Sequence, residues 1–159
     1  MEGEAEEEAA EVSDGPLPAA PARRVAIVAC MDARLPPLDA LGLALGDAHV
    51  IRNAGGIVTD DVIRSLAISQ RKLGTTEIVL VHHTDCGMTS FTDAEFAAEL
   101  EADAGEAPPF AIGAFADAAE SVRESIRRLR RSPFLTSRDR IRGYVYDVES
   151  GDLAEVAPG

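Results

Sequence analysis

The chain has 159 residues, enough for one domain with a sizeable core, and 46% of them are hydrophobic, which excludes a wholly disordered protein. Twenty-eight acidic residues stand against 15 basic ones, a net charge of −13, which argues against nucleic acid as a partner because phosphate binding needs a basic face. Two cysteines are too few for a disulfide-rich scaffold, no apolar run approaches the ~18–20 residues of a membrane span, and the acidic start does not read as a secretory signal.

The charge is unevenly placed. Residues 1–22 carry Glu2, Glu4, Glu6, Glu7, Glu8, Glu11 and Asp14 and no Lys or Arg. This stretch is expected to be a disordered, solvated tail, leaving 23–159 as a single domain. Val25–Ala29 (VAIVA) reads as a buried strand. Pro36–Leu45 reads as a helix, with prolines at its start, Leu38, Leu41 and Leu45 on one face, and Gly46 after its end. His49–Arg52 is a brief second strand. The next helix has Thr59 as N-cap, Asp60 and Asp61 in its first turn, Val62, Ile63, Leu66, Ala67 and Leu73 on one face, and Gly74 as its stop. Glu77–His82 is a third strand.

Thr92 and Glu95 form a capping box ahead of Phe96 and Leu100, and Glu101–Pro109 reads as loop. Ile112, Phe115, Ala119, Val122, Ile126 and Leu129 predict a long amphipathic helix that ends near Ser132-Pro133, its late arginines forming a solvated face. Gly143–Val148 and Leu153–Val156 around Ser150-Gly151 predict a terminal hairpin. Strands alternating with helices imply an α/β fold with a mostly parallel central sheet, flanking helices and right-handed crossovers. Ligands of such sheets bind beyond the carboxyl ends of the strands, which directs attention to the ends of strands one and three.

Both cysteines sit there. Cys30 follows VAIVA, Cys86 follows EIVLVHHTD, and His83 precedes Cys86 in an H-x-x-C pattern. If strands one and three are neighbours, Cys30, His83 and Cys86 converge. Two thiolates and one imidazole suit Zn²⁺, and three protein ligands leave a fourth position for water, the catalytic pattern. Asp32, in C-x-D-x-R, can face the same cavity and either accept a hydrogen bond from metal-bound water or become a fourth ligand. Arg34 can pair with it bidentately and hold it off the metal. His82 rivals His83, but neighbouring strand residues face opposite ways, and the H-x-x-C match selects His83. His82 and His49 are expected to be structural, and Asp85 to cap or hydrogen-bond locally without binding metal. Arg52–Gly56 (RNAGG) lacks the phosphate-loop fingerprints. Gly55 and Gly56 read instead as tight backbone beside the metal cavity, shaping the substrate pocket.

The segments ACMDAR (29–34), HVIRNAGG (49–56), VTDDVIRSLAIS (58–69) and HHTDCGM (82–88) resemble the β-class carbonic anhydrases, most closely their small, compact branch. The resemblance runs from about Arg23 to the C-terminal hairpin. It implies a sheet of order 2-1-3-4 plus a terminal antiparallel strand. It also implies one zinc per chain, held by Cys30, His83 and Cys86, with Asp32 and Arg34 as the catalytic dyad and Asp32 as fourth ligand only in a closed state. The implied reaction is reversible hydration of carbon dioxide to bicarbonate and a proton by attack of zinc-bound hydroxide, a lyase activity. A cytoplasmic homodimer or tetramer is expected, with no membrane or nucleic-acid partner. The alternatives are a carbonyl sulfide or carbon disulfide hydrolase on the same scaffold, and a closed, non-catalytic zinc module.

Overall fold

The computed structural model describes residues 16–159. Its centre is β1 (Val25–Cys30), in which every residue is buried, as an inner strand covered on both faces requires. With β2 (Ala48–Asn53), β3 (Glu77–His83), β4 (Ile141–Tyr146) and β5 (Leu153–Val156) it forms a sheet of order β2-β1-β3-β4-β5. The first four strands run parallel and β5 is antiparallel to β4, so the expected architecture is borne out. Ala29 of β1 lies opposite Val81 of β3, which brings the carboxyl ends of these two strands side by side.

Among the described residues, four α-helices accompany the sheet: α1 (Pro37–Ala40), α2 (Asp60–Leu73), α3 (Asp93–Ala104) and α4 (Ala118–Arg131). Thr59 caps α2 by accepting from the Val62 N–H, and Gly74 ends it in the left-handed region. Alternation along the strands sorts the core into two layers. Ala26, Val28, Ile78 and Leu80 meet Val62 and Leu66 of α2 and Val122, Ile126 and Leu129 of α4. Val25, Ile27, Ala29 and Val81 point to the other face, against Leu35, Leu38, Leu41 and Met88. Each large aliphatic side chain so buried contributes about 1.5–3 kcal/mol.

Several helix limits differ from expectation. The helix read over Pro36–Leu45 is the single turn of α1. The chain leaves it through Gly42 at φ +68°, Leu38 and Leu41 still pack on the second core layer, and Leu45 is exposed. The helix read from Ile112 begins at Ala118, because Gly113 takes φ +80° and Asp117 is the N-cap, its carboxylate accepting from the Glu120 N–H at 2.8 Å. Conversely, α3 continues through Glu101 to Ala104, where a loop was expected. The late arginines of α4 are exposed or half-buried and mostly paired: Arg123 and Arg127 with Glu120, and Arg128 with Asp60.

Residues 1–15, and with them all seven acidic residues of the expected tail, lie outside the described residues. Residues 16–22 rest on the domain. The Ala22 N–H donates to the Gly46 carbonyl at 2.9 Å, and the Ala19 carbonyl accepts from His49 Nε2 at 2.9 Å. His49 also bonds Ser69 Oγ at 2.7 Å, which makes it structural as expected.

Candidate active site

The site is built where β1 and β3 end. Beyond Cys30 the chain turns through 31–35, and Arg52 of β2 staples this turn from the side. Its Nε donates to the Cys30 carbonyl at 2.9 Å, and its Nη2 to the carbonyls of Asp32 (2.8 Å) and Leu35 (3.2 Å). The backbone after β2 crosses directly behind Cys30. At Gly56, where φ is +65°, a Cβ would stand 2.7 Å from the Cys30 nitrogen and 2.9 Å from the Ala29 carbonyl carbon, so both the conformation and the space require glycine. At Gly55 (φ +88°) a Cβ would come within 3.0 Å of Met88 and 3.1 Å of Phe115. Gly56 thus lies against the Cys30 backbone, and the Gly55 N–H reaches the Cys30 thiol.

His83 closes β3. Its Nδ1 lies 2.7 Å from the Thr84 carbonyl, which can only accept, so Nδ1 carries the proton and Nε2 keeps a lone pair. Nε2 is buried and has no hydrogen-bond partner among the described residues. Cys86 follows a turn in which Asp85 adopts φ +52°. One donor atom each from Cys30, His83 and Cys86 lie within 4.8 Å of one another, all three residues are buried, and both cysteines are free thiols. A buried nitrogen without a partner is costly, and a metal ion would satisfy it. Two sulfurs and one nitrogen, with the other ring nitrogen bonded to a carbonyl, are a donor set that fits zinc.

Asp32 stands just outside this group. Its Oδ1 accepts from the Arg34 backbone N–H (2.8 Å) and Nε (3.0 Å), and its Oδ2 from Nη2 (2.8 Å). Oδ2 is 3.7 Å from His83 Nε2. These bonds from Arg34 hold the Asp32 carboxyl well below the usual carboxylate range. The thiols differ. Burial pushes the Cys30 thiol up, but His83 and the backbone N–H groups of Asp32 and Gly55 outweigh it and bring Cys30 down to about 7. Burial pushes the Cys86 thiol up to about 11. Cys30 in turn raises the pKa of His83.

His82 faces the opposite layer. Its Nε2 lies 3.1 Å from Ser121 Oγ on α4, and its ring is 5.4 Å from that of Phe115. Burial lowers its pKa to about 4, with the neighbouring His83 adding to the effect. A cleft of about 940 Å³ is lined by Ile57, Phe115 and residues of α4, and by none of the three metal-type ligands.

Three residues of the site escaped the sequence reading. Arg52 reads from sequence as the end of the second strand and the start of a loop without a phosphate fingerprint, with no role in the site. Phe115 was placed inside a helix. Asp85 was expected to bond locally, but its carboxylate and carbonyl both accept from Arg34, 51 positions away. The D-x-x-E pattern of Asp117 and Glu120 could have released Phe115 from the helix. Nothing in the sequence pairs Asp85 with Arg34.

The family model described as carbonic anhydrase matches residues 25–153. The beta-carbonic anhydrase 1 of Mycobacterium tuberculosis is 56% identical over 144 residues, covering 91% of this chain and 88% of that protein. The chain belongs to the β-carbonic anhydrase family. The crystal structure of a carbonic anhydrase from Streptococcus mutans matches with a TM-score of 0.86 at 49% identity, covering 98% of this chain and 96% of that one. A carbon disulfide hydrolase of Acidithiobacillus thiooxidans is 38% identical over 151 residues, covering 82% of this chain and 76% of that protein. β-Carbonic anhydrases are zinc enzymes, and Cys30, His83 and Cys86 could hold that ion here. Among the described residues, no helix is long and apolar enough to cross a membrane.

Proposed function

We propose that the protein catalyses the reversible hydration of carbon dioxide to bicarbonate and a proton, with Cys30, His83 and Cys86 holding one zinc. The observation that carries this reading is the buried, unpartnered His83 Nε2 between two free thiols, with an arginine-held carboxylate alongside. When bound, zinc supplies a water that ionises near neutral pH and is therefore a nucleophile.

The chain's own residues do the rest. Asp32, kept ionised by Arg34, is a hydrogen-bond acceptor 3.7 Å from His83 Nε2 and orients a donor in the cavity. While Arg34 holds both carboxylate oxygens, Asp32 is not a ligand; it becomes a fourth ligand only on release, in a closed state. Gly55 and Gly56 bring backbone close behind Cys30, and Met88 and Phe115 pack against Gly55, so these two glycines are the residues expected to shape the substrate pocket. The catalytic unit is residues 23–159. Free buried thiols fit a reducing compartment, the cytoplasm. Exposed Ile68, Phe110 and Phe134 fit burial in a homodimer or a tetramer.

Carbon disulfide is the second reading, because the same linear geometry would accept the same attack and a carbon disulfide hydrolase is among the relatives. The higher identity to the mycobacterial protein favours carbon dioxide. Stopped-flow carbon dioxide hydration by zinc-loaded protein, run beside a sulfide-release assay on carbon disulfide, separates them. Carbon dioxide turnover without sulfide supports the proposal. Sulfide release with negligible hydration moves the substrate to carbon disulfide. Neither, with zinc bound, leaves a closed and non-catalytic site.

A further inference from the structure

We infer that Asp85 is a positioning residue: it anchors Arg34 and, through Arg34, fixes where the Asp32 carboxylate stands relative to the metal group. The inference rests on the reading of Asp32 and Arg34 as working parts of the site. The guanidinium of Arg34 is shared between two aspartates. Its Nε and Nη2 grip the two oxygens of Asp32, while Nη1 donates to Asp85 Oδ2 and Nη2 to the Asp85 carbonyl, both at 3.0 Å. Every nitrogen of the guanidinium is thereby engaged.

The second anchor matters because the first is weak in isolation. The Arg34 side chain is 47% exposed, and an exposed ion pair contributes only about 0–1 kcal/mol while a long side chain gives up rotamer freedom to form it. Held by Asp32 alone, Arg34 would exchange conformations and Asp32 with it. Asp85 ties the fork to a different loop, 51 residues on, whose next residue is the candidate ligand Cys86. One turn thus places a metal-type ligand and the bracket of the dyad.

The backbone is specialised for this. At φ +52° Asp85 occupies the left-handed region, which is unfavourable for most side chains and tolerated best by Asn and Asp. Its carboxylate is 82% exposed, so core packing does not explain the residue, and it is not in the metal-type group. Asp32 Oδ2, at 3.7 Å from His83 Nε2, is close enough that a loosened Arg34 would let it move in as a fourth ligand.

The test uses the full chain in zinc-loaded and cobalt-substituted forms. Asp85→Gly keeps the left-handed backbone and the carbonyl and removes the carboxylate; Asp85→Asn keeps an acceptor for Nη1. Azide binding to the cobalt form, read from its visible spectrum, reports whether the fourth position is open and needs no turnover. For Asp85→Gly we expect full metal content, azide affinity and kcat each reduced about 10-fold, and KM little changed, the low end of the losses that follow removal of a partner beyond a metal's ligands. Asp85→Asn should restore both. Should glycine loosen the whole turn, Asp85→Ser must move both readouts in the same direction. Wild-type azide affinity and kcat in Asp85→Gly would reduce the contact to a surface ion pair and overturn the inference. Loss of metal from Asp85→Gly would also overturn it, making Asp85 a prop for Cys86 instead. A wild type that binds azide but does not hydrate carbon dioxide would refute the proposed reaction, and the azide comparison would still decide the role of Asp85.

Discussion

His82 and His83 are adjacent on β3, equally buried, and chemically opposite. His82 looks into the layer under α4, where its Nε2 meets Ser121 and burial drives it towards the neutral ring. His83 looks the other way, at two thiols and a carboxylate, and its pKa rises. Strand alternation alone sorts one dipeptide into a piece of scaffold and a piece of chemistry. The two faces of the sheet should therefore respond differently to substitution.

The largest effect is expected on the chemical face. Cys30→Ser or Cys86→Ser should drop zinc from about one per chain to near zero by elemental analysis, since three ligands leave none to spare. His82→Gln, one residue from a ligand but on the other face, should keep its zinc; equal loss from His82→Gln would erase the contrast. Next comes Asp32→Ala, which should retain zinc and lose turnover on the order of 10²-fold, the usual range for a positioned proton-handling group. Full activity would take Asp32 out of the reaction.

The scaffold face is tested by pH. His82 titrates near 4 in the fold against 6.5 as a free side chain. Between those values the unfolded chain binds a proton that the folded chain refuses, so the contribution of His82 to stability falls on acidification, by about 3 kcal/mol in all. Urea curves of wild type and His82→Gln should converge as the pH drops from 7.5 to 4.5, the variant lacking that loss. A constant gap would mean that His82 is not held neutral. The smallest effect is expected at the seam. Gly56→Ala should cost about 2 kcal/mol in denaturant midpoint, through its left-handed backbone and the contact with Cys30, and an unchanged midpoint would show that the crossing can relax.

What the sequence made legible follows from how local each signal is. VAIVA, the Thr59 cap and the Gly74 stop are written in adjacent residues, and they appear as read. Cys30, His83 and Cys86 could be joined from a distance because a parallel sheet has few ways to place two strand ends together. Apolar spacing misled where glycine intervened. Leu38, Leu41 and Leu45 have helical spacing, but Gly42 turns the chain after one turn, and Gly113 does the same before α4. Arg52 and Asp85 were invisible as site parts because their work is done on carbonyls and on a guanidinium far away in the chain.

The most direct test of the metal centre is zinc X-ray absorption on the loaded protein near pH 8. Cys30, His83 and Cys86 around an open fourth position predict two sulfur neighbours at about 2.3 Å and two nitrogen or oxygen neighbours at about 2.0–2.1 Å, with one imidazole pattern that persists in His82→Gln, while His83→Gln loses the zinc itself. A sulfur count other than two, or an imidazole signal lost with His82 instead, would contradict the assignment.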